Sequence, residues 1–86
     1  MPPSNYPNGK FNMTMRQKFG IWLKDKIDDL GMTQGEFASK VGLQQSQISR
    51  IISGDRGTTI EDLEGIARVL RIPPEDVFRA AGGASP

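Results

Sequence analysis

Apolar residues recur along this chain at helical spacing, and no segment alternates with the period of two that a strand requires. Phe19, Leu23, Ile27 and Leu30 share one face of a first helix. Thr14-Met15-Arg16-Gln17 opens that helix as a capping box, and Gly31 stops it. A second capping box, Thr33-Gln34-Gly35-Glu36, opens a short helix that turns Phe37, Ala38 and Val41 inward and closes at Gly42. A third helix carries Ile48, Ile51 and Ile52 and ends at Gly54. Asp55-Arg56-Gly57-Thr58 reads as a turn, after which Thr59 with Asp62 caps a fourth helix with Ile60, Leu63, Ile66, Ala67 and Leu70 as its apolar set. Pro74 suits the first position of a fifth helix, where no backbone donor is needed, and Glu75 and Asp76 favour its positive end. Val77 and Phe78 are the apolar residues of that helix. The pattern predicts an all-α fold, a compact five-helix domain over residues 14–81, between a flexible N-terminal arm (1–13) and a flexible tail (82–86). Met13, Met15 and Met32 are expected to fill gaps in the core. Trp22 is expected at the edge of the apolar stripe, packed toward the fifth helix near Phe78.

Composition narrows the chemistry more than the fold. The chain has 86 residues, enough for one small domain. It has no cysteine and no histidine, which removes disulfides, thiolate and imidazole catalysis and nearly every ordinary transition-metal site. Asp25, Asp28 and Asp29 lie on one helix without a second acidic cluster to complete a site, so they read as a solvated face. No enzyme activity, cofactor, metal or small-molecule ligand is expected. Eleven basic residues against ten acidic ones give a net charge of +1, so an electrostatic argument must rest on where the charges sit. No apolar stretch approaches the roughly 20 residues that cross a bilayer, and the amino end has no signal-peptide core, so a cytoplasmic protein is the default.

The informative stretch runs from Gln34 to Ser53. Two short helices meet there across a tight turn. Ala38 leaves room for the second helix to approach, Gly42 takes the left-handed turn, and Ile48 and Ile51 close the core between them. This is a helix-turn-helix pattern, whose second helix is free to enter the DNA major groove. The outward face of the third helix is polar but almost uncharged: Gln44, Gln45, Ser46, Gln47, Ser49 and Arg50. A merely solvated face more often carries Glu and Lys. Glutamine bonds an adenine edge in two places, serine adapts to several bases and arginine matches guanine, so Gln45, Ser46, Gln47 and Arg50 are the candidate base contacts. Gln34, at the start of the preceding helix, is placed to brace a backbone phosphate.

From Phe19 to Phe78 the chain resembles the lambda-repressor-like (Cro/C1-type, XRE) DNA-binding domain. The resemblance is carried by FGIWLKDKIDDLGMTQ, by MTQGEFASKVGLQQSQISRIISG and by TTIEDLEGIARVLRIPPEDVF. It implies five helices with the second and third forming the DNA-reading unit (34–53), and phosphate contacts from Gln34, Gln44, Ser53, Arg56 and Thr58. It also implies a transcriptional regulator, of repressor type, that binds a double-stranded DNA operator; one such domain reads only a few base pairs, so a homodimer on a two-fold operator is expected. The alternative is a protein-interaction module on the same fold, of antitoxin or polymerase-adaptor type. Four positions depart from the family. Ile27 and Ile52 stand where many members carry an arginine–glutamate pair, and are expected to touch in the core. Gln44 replaces the usual capping serine or threonine, and Arg71 the glycine that usually follows the fourth helix; both should weaken capping.

Overall fold

The computed structural model describes residues 13–82; the expectations for residues 1–12 of the arm and 83–86 of the tail lie outside the described residues. Five helices follow one another: α1 (Met15–Asp29), α2 (Gln34–Val41), α3 (Gln45–Ser53), α4 (Ile60–Leu70) and α5 (Pro74–Ala80). No strand occurs among the described residues.

Three helices start with the reciprocal bonds that their sequences promise. The Thr14 hydroxyl accepts from the Gln17 amide at 3.1 Å, and Gln17 Oε1 accepts from the Thr14 amide at 2.9 Å. Thr33 with Glu36 and Thr59 with Asp62 repeat the arrangement. At α3 the Gln44 side chain makes no capping bond; instead Gln47 Oε1 accepts from the Gln44 amide at 2.9 Å.

The first four helices end alike. An amide five residues on reaches back to the last turn: Met32 to the Ile27 carbonyl, Leu43 to Ala38, Asp55 to Arg50 and Ile72 to Ala67. That closure needs one residue with a left-handed backbone. Glycine supplies it after α1, α2 and α3, whereas after α4 it falls to Arg71 (φ 60°), the single non-glycine residue with positive φ among the described residues.

The core gathers Phe19, Leu23 and Ile27 from α1, Phe37 and Ala38 from α2, Ile48 and Ile51 from α3, Leu63, Ile66, Ala67 and Leu70 from α4, and Val77 from α5. Ile27 is fully buried, while Ile52 is half-buried and packs against the same core. Several expected core residues stand outside it. Leu30 is 42% exposed because it caps α1 beyond its last inward turn. Ile60 is 65% exposed as the first residue of α4, before that helix has turned its apolar face inward. Met15, first in α1, is 58% exposed, and Met13 is exposed too; of the three methionines only Met32 packs against the core. Trp22 is half-buried and stacks on Phe19, ring centroids 5.5 Å apart, with the Lys26 ammonium 5.8 Å from its ring.

α1 and α3 touch through backbone. A Cβ placed on Gly20 would lie 2.0 Å from the Ile52 carbonyl oxygen and 2.8 Å from that of Ile51. The axis of α1 therefore rests directly on the last turn of α3, and any side chain at Gly20 would lift it away.

Candidate nucleic-acid interface

α2 and α3 are held together at two levels. Below, Phe37, Ala38, Ile48 and Ile51 are all buried, and Ala38 contributes no bulk that would separate the helices. Between them Gly42, with φ 96°, turns the chain at the end of α2. Above, the Ser49 hydroxyl donates to Gln34 Oε1 at 2.9 Å, a bond from the middle of α3 to the first residue of α2. Gln34 thus spends its oxygen on the partner helix and keeps its NH2 group for an outside acceptor. The amides of Gln34 and Gly35, in the first turn of α2, have no intrahelical partner.

Gln45 leans the same way. A Cβ on Gly35 would come within 3.2 Å of Gln45 Oε1, so this glutamine lies over the start of α2 because residue 35 has no side chain. The carboxamides of Gln34 and Gln45 therefore gather around the same helix start. The spacing of the sequence alone did not reveal the part of Gly35; its signal was a glycine at the second position of an otherwise well-formed helix.

The outward ridge of α3 is open to solvent. Gln44, Gln45, Ser46 and Arg50 are exposed, and Gln47 and Ser49 are half-buried. Besides Gln34, three of the expected contacts are engaged elsewhere in the free protein. The Gln47 oxygen closes the start of α3, as described above. Ser53 donates its hydroxyl to the Arg50 carbonyl at 3.1 Å. Arg56 turns inward: its Nη1 lies 3.3 Å from Asp62 Oδ2, and both side chains are largely buried. Asp62 also accepts from the Thr59 amide, so one carboxylate starts α4 and holds Arg56. Thr58 is half-buried in the same loop. The arrangement is a projecting row of amides and hydroxyls, with the exposed Arg50 in it, on a rigid base, with donors and acceptors suited to base edges and phosphates.

A helix-turn-helix family model matches residues 23–77. No curated protein sequence matches the chain significantly. Among solved structures, the restriction-modification controller protein C.AhdI from Aeromonas hydrophila is similar at 27% identity and a TM-score of 0.69, over 73% of this chain and 96% of that one. The clp gene regulator ClgR from Corynebacterium glutamicum shares the fold, with 24% identity and a TM-score of 0.72, over 84% of this chain and 77% of its own. A variant of the controller protein C.Esp1396I, bound to its highest-affinity operator site, is similar at 28% identity and a TM-score of 0.68, over 81% of this chain and 92% of that one.

Proposed function

This chain belongs to the helix-turn-helix family, of the Cro/C1 type, and from that premise we propose that it is a sequence-specific DNA-binding regulator of transcription that sets α3 in the major groove. The observation that carries the reading is the exposed ridge of Gln44, Gln45, Ser46 and Arg50, standing on a helix pinned from below by α1 and from the side by α2. Gln45, Ser46, Gln47 and Arg50 face bases in this reading. Gln34, Gln44, Ser53 and Thr58 steady the flanking phosphates. Gln47 keeps its NH2 group for a base while its oxygen caps the helix.

A helix of nine residues reads only a few base pairs. Selectivity then comes from two copies on a two-fold operator, with half-sites about 34 Å apart, one turn of the duplex. The controller protein bound to its operator lends support to double-stranded DNA as the partner.

Selection of preferred sequences from a random duplex pool tests the reading. An enriched motif with two-fold symmetry is the expected result. Recovery of no preferred sequence, with no mobility shift at low or moderate salt, would refute it and favour a protein-interaction role for the same fold.

A further inference from the structure

A groove of about 580 Å³ opens where the α1–α2 turn meets the ends of α2 and α4, lined by Leu30, Met32, Lys40, Arg68, Val69 and Arg71. Its apolar part is the exposed Leu30 together with Met32 and Val69, which are half-buried and pack on the core beneath. Its polar part is cationic throughout: Lys40, Arg68 and Arg71 are all exposed. None of the three forms an ion pair or a side-chain hydrogen bond among the described residues. Those residues include all ten Asp and Glu side chains of the chain, and none of the ten lines the groove.

The three cations are there for different reasons. Lys40 and Arg68 stand in the last turns of α2 and α4, where a helix favours positive charge. A Cβ on Gly65 would lie 3.1 Å from Val41 Cγ1 and 3.7 Å from Arg68 Nη2, so the Arg68 guanidinium reaches back toward the junction of α4 with α2. Arg71 has no such local reason. It holds the left-handed turn after α4, where glycine would meet less steric cost and where the resembling family usually has glycine. Backbone positions that keep a side chain under strain gather at ligand clamps. The fold needs only the backbone of residue 71; the groove gains its guanidinium.

Unspent cations around an exposed apolar floor define the chemistry of the occupant. A phosphate or a nucleic-acid backbone would leave Leu30, Met32 and Val69 uncovered. A purely apolar segment would desolvate the cations without pairing them. The match is a peptide that sets acidic beside large apolar side chains, as an amphipathic helix laid in a groove does. We propose that this groove docks an acidic amphipathic segment of a partner protein. Leu30, Met32 and Val69 receive its apolar residues, and Lys40, Arg68 and Arg71 its carboxylates. No residue assigned above to the DNA surface lines the groove, so the segment and a duplex draw on separate residues and the proposal does not rest on the DNA-binding reading.

Selection from a phage-displayed library of random peptides, long enough for several helical turns, supplies the probe. Enrichment of sequences carrying Glu or Asp beside Leu, Ile or Phe is the expected result. A fluorescein-labelled copy of the most enriched sequence is then titrated by anisotropy against the parent protein, Arg71→Gly, Lys40→Ala and Leu30→Ser. Arg71→Gly discriminates best, since it removes the guanidinium and keeps the backbone turn. It should weaken peptide binding by about tenfold, the loss expected for one charge-assisted contact. Its melting temperature should be unchanged or raised, and its affinity for duplex DNA unchanged. Leu30→Ser should weaken peptide binding at every salt concentration, whereas the effect of Lys40→Ala should shrink as salt rises.

A selection that yields no acidic sequences would overturn the proposal, as would a selected peptide that binds Arg71→Gly or Leu30→Ser as tightly as the parent. A fall in duplex affinity in Arg71→Gly would make the groove part of a nucleic-acid surface and overturn the peptide assignment. So would a concentration-dependent dimer, seen by sedimentation, that the same variant loses, because a second copy would then be the occupant.

Discussion

Glutamines at positions 34, 45 and 47 do different work with the same side chain. Gln34 gives its oxygen to Ser49 and Gln47 gives its oxygen to the start of α3, whereas Gln45 is exposed, lies against Gly35 and makes no side-chain hydrogen bond among the described residues. Of the three, Gln45 keeps both halves of its amide available for a two-point bond to an adenine edge. Gln45→Ala should therefore relax preference at one operator position, costing about 1–3 kcal/mol on the preferred sequence and little on others. Competition binding against single-base operator variants measures this directly. Arg71 is the residue-scale cost of the fold. Its left-handed backbone is one that a side chain adopts at a penalty of roughly 1–2 kcal/mol, only partly offset by the greater freedom glycine has in the unfolded chain. Arg71→Gly should accordingly raise the melting temperature by a few degrees, seen in a thermal denaturation scan.

Among the elements, the decisive contact joins α1 to α3. Polar face and capping belong to α3 itself, but its height above the domain is set by Gly20, over which the carbonyls of Ile51 and Ile52 lie. Gly20→Ala forces the two backbones apart, so overpacking of about 1–3 kcal/mol is expected. The protein should melt several degrees lower, and operator affinity should fall more than any loss of folded fraction explains, because the ridge is tilted as well as loosened. Comparing melting curves with the active fraction from stoichiometric titration separates the two effects. The start of α2 offers a milder perturbation. Thr33→Ala removes the hydroxyl that holds the Glu36 amide and should cost about 1 kcal/mol of stability without altering base preference.

At the scale of the whole molecule, a net charge of +1 is too small to draw the protein to nucleic acid from a distance, so affinity must come from local placement. Ion pairs neutralise Lys24, Arg56 and Arg79, while Arg50 on the reading ridge and Arg16 against the α3–α4 loop form none among the described residues. Binding should fall linearly on a plot of log K against log salt, with about 0.9 of slope for each phosphate neutralised. If two copies act together, the binding curve on an intact operator should be steeper than on a half-site, and moving the half-sites apart by half a helical turn should abolish the difference.

Local sequence carried most of the architecture. Helix starts follow from Thr14, Thr33 and Thr59 with their partners three residues on, and helix ends from Gly31, Gly42 and Gly54, because capping and left-handed closure are decided within six residues. The polar ridge of α3 was equally legible, since helical spacing alone separates Gln45, Ser46 and Arg50 from Ile48 and Ile51. Tertiary structure decided what depends on neighbours distant in the chain. It placed Ile60 and Met15 at the surface, since helical period fixes which residues share a face but not where along a helix the core ends. It made Gly20 and Gly57 points of close approach, which a missing side chain cannot announce until another element arrives. And it turned Arg56 toward Asp62, while Arg16 forms no ion pair among the described residues, because a charge is available to a partner only if the fold has not already given it one.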